Sequence, residues 1–272
     1  MNWLEKLLLR LQTEPAVLVT VMATRGSVPR DVGTWMAVFT DSFLATIGGG
    51  RLEQDALDLA RGRLAAGSTE SLERAFSLGP SLGQCCGGEV QLRFERIRAA
   101  DAPALADRLR PPHTPVALFG GGHVGQALVR VLGLLPTQVR WFDSRDEVFP
   151  VDLPPHVHTE HSDPVEAGVA ELVPGTRVFV MSFSHAEDFA VVAACLQRQR
   201  DLGDLPYIGL IGSKSKWATF RHRLEARGFT AAELNHVTCP IGVSGINDKR
   251  PEVIAVAAAA QLLQVVGEPA GT

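Results

Sequence analysis

The residues with the most chemistry to offer lie in glycine-framed loops. Leu82-Gly83-Gln84-Cys85-Cys86-Gly87-Gly88 sets two adjacent thiols in a thin, accessible loop. Soft thiolates suit molybdenum, copper(I), zinc or persulfide sulfur. A tetrahedral zinc site needs further ligands at suitable spacing, and no Cys-x-x-Cys partner exists for this pair. The plain alternative is a pair of small buried cysteines. A second loop, Ile47-Gly48-Gly49-Gly50-Arg51-Leu52-Glu53, spends heavy backbone entropy on three consecutive glycines. It leads into a helix, so its N–H groups can cradle an anion. Glu53, in the first helical turn, interacts favourably with the helix dipole. A third loop, Arg25-Gly26-Ser27-Val28-Pro29-Arg30, puts Arg25 and Arg30 around a tight turn. They can grip phosphate or carboxylate, or simply face solvent.

The second half carries a different signal. Gly120-Gly121-Gly122-His123-Val124-Gly125 contains G-x-G-x-x-G at Gly120, Gly122 and Gly125. It follows the strand-like VALF and opens a helical stretch, which is the context a dinucleotide fingerprint requires. The expected ligand is a nucleotide or a pterin phosphate; the alternative is a scaffold that keeps its glycines for tight packing. Asp143 ends the next strand, where an acid can hold a ribose 2′-hydroxyl, and Arg145 beside it can hold a phosphate instead. His123 reads as a ligand contact or a cap. Ile211-Gly212-Ser213-Lys214-Ser215-Lys216 follows another strand and suits anion binding through Ser213 and Lys214, or is a capped helix start with solvated lysines. His185 and Asp188 stand after a further strand end, as site residues or helix caps. Cys195, on an apolar helix face, reads as core, and Cys239 is open.

The elements that must position these loops fall into two textures. Before residue 100, strands are expected at 16–24, 34–40, 43–47 and 89–97, with a hairpin over Asp41-Ser42 and a helix over 51–65. Residues 101–114 hold a short helix and a proline cluster that reads as a linker. Beyond it, strands at 116–119, 138–142, 157–160, 177–182 and 207–211 alternate with helices at 123–132, 164–171, 186–200, 215–226 and 251–265. That alternation implies a parallel sheet covered on both faces. The fold class is therefore α/β: an N-terminal α+β domain over 1–110, then a C-terminal Rossmann-like doubly wound sheet over 115–272.

The 272 residues are 46% hydrophobic and 21% charged, with a net charge of −4, and carry no basic stripe. Disorder and nucleic-acid binding are disfavoured. The apolar stretch 253–266 is too short and alanine-rich for a membrane span, and the charged MNWLEKLLLRLQ reads as an amphipathic helix and not a signal peptide. Four cysteines, two of them adjacent, make no secreted disulfide framework, so a cytoplasmic protein with reduced thiols is expected.

These loops together resemble the XdhC/CoxI family, the xanthine dehydrogenase accessory proteins. The resemblance rests on Gly26 to Arg30, Ile47 to Glu53, Leu78-Gly79-Pro80, Gly83 to Gly88, Gly120 to Gln126, Ile208 to Ser213 and Cys239-Pro240-Ile241-Gly242. It covers nearly the whole chain in the family's order. Many relatives of the CoxI kind carry a cysteine where this chain has Arg51, which argues for the xanthine dehydrogenase branch. The resemblance implies a molybdenum cofactor chaperone. Such a protein shelters the molybdopterin form received from cofactor biosynthesis proteins and assists its sulfuration with a cysteine desulfurase. It then inserts the cofactor into the molybdenum subunit of apo-xanthine dehydrogenase, and pairs with a second copy of itself. By position, Cys85 and Cys86 would contact the molybdenum or its sulfur, with Gln84 and the loop from Gly48 to Glu53 nearby. On this reading the chain is an accessory factor and not an enzyme. A nicotinamide-dependent oxidoreductase using the glycine turn is the alternative. A thiol-based metal or redox sensor ranks last, since no effector domain accompanies the thiols.

Overall fold

A computed structural model describes residues 3–78, 87–110 and 113–267. The chain divides after Arg110 into two compact units.

The first unit is built on a five-stranded antiparallel sheet in the order β3-β2-β1-β5-β4. Its strands are β1 (Ala16–Arg25), β2 (Trp35–Val38), β3 (Phe43–Ala45), β4 (Leu72–Ser77) and β5 (Glu89–Ile97). The central strand is apolar at consecutive positions because both of its faces are covered. Val17, Val19 and Val21 pack with Leu52, Ala56, Leu57 and Ala60 of α2 (Gly50–Ala65). Ala16 and Leu18 face the other way, toward Leu7 of α1 (Trp3–Arg10) and Leu105 of α3 (Ala102–Arg108). The hairpin turns at Asp41-Ser42, where Phe39 N donates to the Ser42 carbonyl at 2.9 Å. Strand β4 has no counterpart in the hydrophobic pattern. It is an edge strand whose only buried side chain is Phe76, so no alternation marks it.

The second unit is a six-stranded parallel sheet in the order β11-β10-β9-β6-β7-β8. Its strands are β6 (Thr114–Phe119), β7 (Thr137–Asp143), β8 (Val157–His161), β9 (Arg177–Val180), β10 (Tyr207–Leu210) and β11 (Val237–Thr238). Val116 and Leu118 of β6 pack toward α4 (His123–Leu132) and α8 (Pro251–Gly267). Ala117 and Phe119 pack on the opposite face, toward α5 (His185–Leu202) and α6 (Lys214–Glu225). Alternate side chains of one strand thus feed two helical layers, as a doubly wound sheet requires. The chain runs outward from β6 to β8, then returns to build β9, β10 and β11 on the other side. That reversal puts a topological switch point between β6 and β9, where ligands collect at strand carboxyl ends.

One expected α-helix is a 3₁₀ helix, at Val165–Glu171. Gly168 lies at its centre, where an added Cβ would come within 2.7 Å of the Phe142 ring. A seven-residue segment with a central glycine has little propensity to hold an α-helix, so its packing on Phe142 dictates the tighter form. A four-residue helix, α7 (Ala231–Leu234), and the two-residue strand β11 are too short for any periodicity to announce them. Among the described residues no helix is long and apolar enough to cross a membrane.

Leu92 is fully buried between β5 and α2. Leu92→Ala is expected to cost about 2–5 kcal/mol through lost burial and cavity formation. Urea denaturation checks it, with exposed Glu89→Ala of the same strand as the near-neutral control.

Candidate functional site

In the first unit, the arginine loop lies against the triple-glycine loop and against Gly88. It follows the carboxyl end of β1, and the triple glycine joins β3 to α2. Gly48 has φ +125°, and an added Cβ would fall 2.6 Å from Pro29 Cγ and 3.5 Å from Arg30 Cγ. The two loops are therefore in backbone-to-side-chain contact. Gly88, at the foot of β5, approaches the same loop from another direction. A Cβ there would sit 2.3 Å from the Ser27 carbonyl and 2.8 Å from that of Arg25. The Leu78 N–H donates to the Gly88 carbonyl at 2.7 Å. So Leu78 and Gly88, on either side of 79–86, are anchored to each other, and Gly88 to the arginine loop. Gln84, Cys85 and Cys86 themselves lie outside the described residues.

The concavity of the triple glycine already holds an anion from the chain itself. The Glu53 carboxylate accepts hydrogen bonds from Ile47 N (3.2 Å), Gly49 N (3.3 Å) and the Thr46 hydroxyl. Glu53 thus does more than meet the dipole of α2: it ties the loop to the helix. The expected cradle at Gly48 to Gly50 has its amides turned partly inward for this reason. What the loops leave facing solvent is guanidinium. Arg25 and Arg30 are exposed and have no acidic partner among the described residues. Arg51 is 64% exposed and makes only a loose contact with Asp55, at 3.8 Å.

The second unit presents its own site at the switch point. Gly120 passes so close to β9 that a Cβ would lie 2.1 Å from the Met181 carbonyl. Gly125 packs α4 on the turn, where a Cβ would lie 2.2 Å from the Gly120 carbonyl. Trp141 Nε1 donates to that same carbonyl at 2.9 Å, a fastening that no motif reveals. Gly122 caps α4, and exposed His123 is the first residue of that helix, so His123 is no cap.

Asp143 corrects the simplest expectation for a ribose-binding acid. Its side chain is 1% exposed. Its oxygens accept from Gly121 N (2.6 Å), Arg145 N (2.9 Å), Arg145 Nε (2.9 Å) and Arg145 Nη2 (3.0 Å). Burial works to raise its pKa, but the bonds from Arg145 and Gly121 hold the carboxyl below the usual range. The acid is spent inside the protein, and Arg145 is the group it presents.

At the neighbouring strand ends, Ser213 caps α6, accepting from Lys216 N at 3.2 Å, and Lys214 is exposed. Lys216 is largely covered: it pairs with Asp188 and donates to the Ile211 carbonyl at 2.9 Å. Asp188 also accepts from Ser182 N and Oγ, both at 2.8 Å. Ser184, not His185, is the side-chain cap of α5. Cys195 is fully buried, as a core residue should be. Burial pushes the Cys239 thiol up to about 11, Lys216 pulling it down and Asp188 raising it, so at neutral pH it is a protonated thiol. Among the described residues no cluster of three or more His, Cys, Asp or Glu forms a metal site.

Comparison with known proteins meets both units. The family described as the XdhC Rossmann domain matches residues 116–262, and the XdhC and CoxI family matches residues 9–75. The chain belongs to the XdhC family. Another similar protein is YqeB of Escherichia coli K12, an uncharacterized protein 23% identical over 273 aligned positions. The alignment takes in 96% of this chain but 45% of YqeB, so the XdhC chain spans less than half the length of that relative. A Bacillus halodurans crystal structure described as a xanthine dehydrogenase superposes with a TM-score of 0.80 at 20% identity. It covers 100% of this chain and 98% of its own, and shares the fold.

Two outcomes are expected. Glu53→Ala should speed amide exchange at Ile47 and Gly49, read by hydrogen–deuterium exchange, while the β1 amides stay protected. Asp143, whose folded pKa is depressed, contributes stability above its unfolded pKa of about 3.9, lost as pH falls toward the folded value. The stability gap between wild type and Asp143→Asn should narrow below about pH 4, measured by denaturant midpoints across pH.

Proposed function

We propose that this chain is a maturation factor that carries molybdenum cofactor as cargo for xanthine dehydrogenase. Membership of the XdhC family supports the maturation role. The observation that carries the cargo reading is the meeting of the Gly26–Arg30 loop with Gly48 and Gly88, at the root of the segment bearing Cys85 and Cys86. The cargo is an anionic pterin with a phosphate and a dithiolene-held metal. It needs cationic hydrogen-bond donors and a soft ligand within one small region. Arg25, Arg30 and Arg51 offer the first, with Arg25 and Arg30 unengaged by acids among the described residues. Cys85 and Cys86 supply the second, toward molybdenum or its sulfur.

In this role the chain takes the cofactor from its biosynthesis proteins and keeps it from water. It holds the cofactor while a cysteine desulfurase provides the sulfur for the terminal sulfido ligand, and releases it into the apo-xanthine dehydrogenase molybdenum subunit. It works in the cytoplasm, as a homodimer, and no residue of its own is assigned a catalytic step. Hydride transfer with a nicotinamide cofactor is the second reading, and the Gly120–Gly125 turn alone favours it.

The deciding experiment titrates the protein with molybdenum cofactor freshly released from a donor protein. Wild type should bind. The double variant Cys85→Ala, Cys86→Ala should keep its circular dichroism spectrum and melting temperature, yet bind at least tenfold more weakly and fail to activate apo-xanthine dehydrogenase. Full activation by the double variant would remove the cysteines from the mechanism. No binding by wild type would remove the cargo reading.

A further inference from the structure

The amino edge of the parallel sheet carries a cavity of about 240 Å³ that the cargo reading does not use. The glycine turn lies at the other end of the strands, past the carboxyl end of β6. Here the walls come from where strands begin: Pro115 on β6, Gln138 and Arg140 on β7, and His158 on β8. In the parallel register Pro115 stands beside Gln138, and Arg140 beside His158. Register partners share a face of the sheet, as do residues two apart on one strand. All four therefore belong to one face. Leu172, Val173 and Thr176, in the link from the 3₁₀ helix to β9, complete the lining.

Both sides of the hole are braced by the protein itself. Arg140 donates to the Glu160 carboxylate at 2.6 Å, and to the carboxylate and carbonyl of Glu171 at 3.0 and 2.7 Å. Its guanidinium lies 4.9 Å from the centroid of the Phe142 ring. In the link, Thr176 donates to the Val173 carbonyl through Oγ1 at 2.6 Å and through N at 3.3 Å. Gly175 N donates to the Asp204 carbonyl at 2.8 Å. A preformed hole of this kind binds with little ordering cost.

The lining specifies the occupant. Pro115, Leu172 and Val173 supply apolar surface. Arg140 brings one cation against the two carboxylates of Glu160 and Glu171, so that cluster disfavours an anionic ligand. Gln138 and His158 are exposed, and their side chains have no hydrogen-bond partner among the described residues. A glutamine amide sets a carbonyl acceptor beside an N–H donor, which complements the N–H and carbonyl of a ring lactam. A neutral imidazole adds one donor and one acceptor. Size follows from volume: an apolar cavity of about 150 Å³ holds benzene, so 240 Å³ takes about ten non-hydrogen atoms, or two fused rings.

We propose that this cavity binds an uncharged two-ring heterocycle with a lactam edge, of the purinone type. Its rings lie among Pro115, Leu172 and Val173. Gln138 reads the adjacent carbonyl and N–H, and His158 bonds a further ring nitrogen. The molybdenum cofactor, with its phosphate and dithiolene, is too large and too anionic for the hole. The inference therefore stands whether or not the chain carries that cargo.

The test is NMR titration of the isotope-labelled full chain with three probes. They are hypoxanthine, indole (two fused rings without a lactam) and inosine 5′-monophosphate. Hypoxanthine should shift the backbone amides of Gln138, His158 and Val173 with a Kd below about 1 mM, a modest affinity for about ten non-hydrogen atoms. Indole and the monophosphate should each bind at least tenfold more weakly. Gln138→Leu should weaken hypoxanthine about tenfold, the scale of one or two neutral hydrogen bonds, and leave indole unchanged. Val173→Trp should fill the hole and abolish hypoxanthine binding. Both positions are exposed, so the unliganded variants should keep the wild-type melting temperature. Failure of folded wild type to bind hypoxanthine would overturn the proposal. So would shifts confined to the glycine turn, indole or the monophosphate binding as tightly as hypoxanthine, or either variant binding hypoxanthine as wild type does.

Discussion

The buried carboxylate of Asp143 is the point from which the ligand edge of the second unit is organised. It closes the turn after β6 by accepting from Gly121 N, and it fixes the path after β7 by accepting from the backbone and guanidinium of Arg145. An ionised carboxylate without partners would be costly at 1% exposure, so these bonds are conditions of the fold as well as features of a site. The close passage of Gly120 against Met181 then sets β6 beside β9 at the switch point. Arg145, Phe183 and Gly122 owe their placement to this arrangement.

The first unit uses the same device in another form. Glu53 lies one turn into α2 and reaches back to bond Ile47 N and Gly49 N. A carboxylate near a helix amino end is favourable on its own, and here it also fixes the geometry of the preceding loop. The steric contact of Gly48 with Pro29 carries that geometry to the arginine loop, and Gly88 packs on the same loop at Arg25 and Ser27. In both units an internal carboxylate accepts from a glycine-loop amide. The groups left outward are arginines, and in the second unit an aromatic ring.

Much of this was readable in the sequence, and for identifiable reasons. The helix over His123–Leu132 and the strands around it carry strong apolar periodicity, and the fingerprint glycines stand in strand–turn–helix order. The helix over Gly50–Ala65 shows its buried face as Leu52, Ala56 and Ala60. Edge strand β4 was invisible because only Phe76 is buried on it. Asp143 was legible as a strand-end acid with Arg145 two residues on, but its bond from Gly121 N was not, since hydrogen-bond partners 22 residues apart leave no pattern. Phe183 had a faint signal, an aromatic three residues after a buried strand, and the lack of any periodic partner hid its contact with Arg145.

The order of residue types along the chain thus determined the two kinds of sheet, the family and the loops that matter, because local propensity and periodicity are encoded residue by residue. Tertiary structure alone decided which groups those loops turn inward. Glu53 fills the glycine concavity, Asp143 is buried beneath Arg145, and Lys216 rather than Lys214 is paired with Asp188. Each outcome depends on which donors and acceptors packing brings within hydrogen-bond distance. Sequence spacing does not contain that distance.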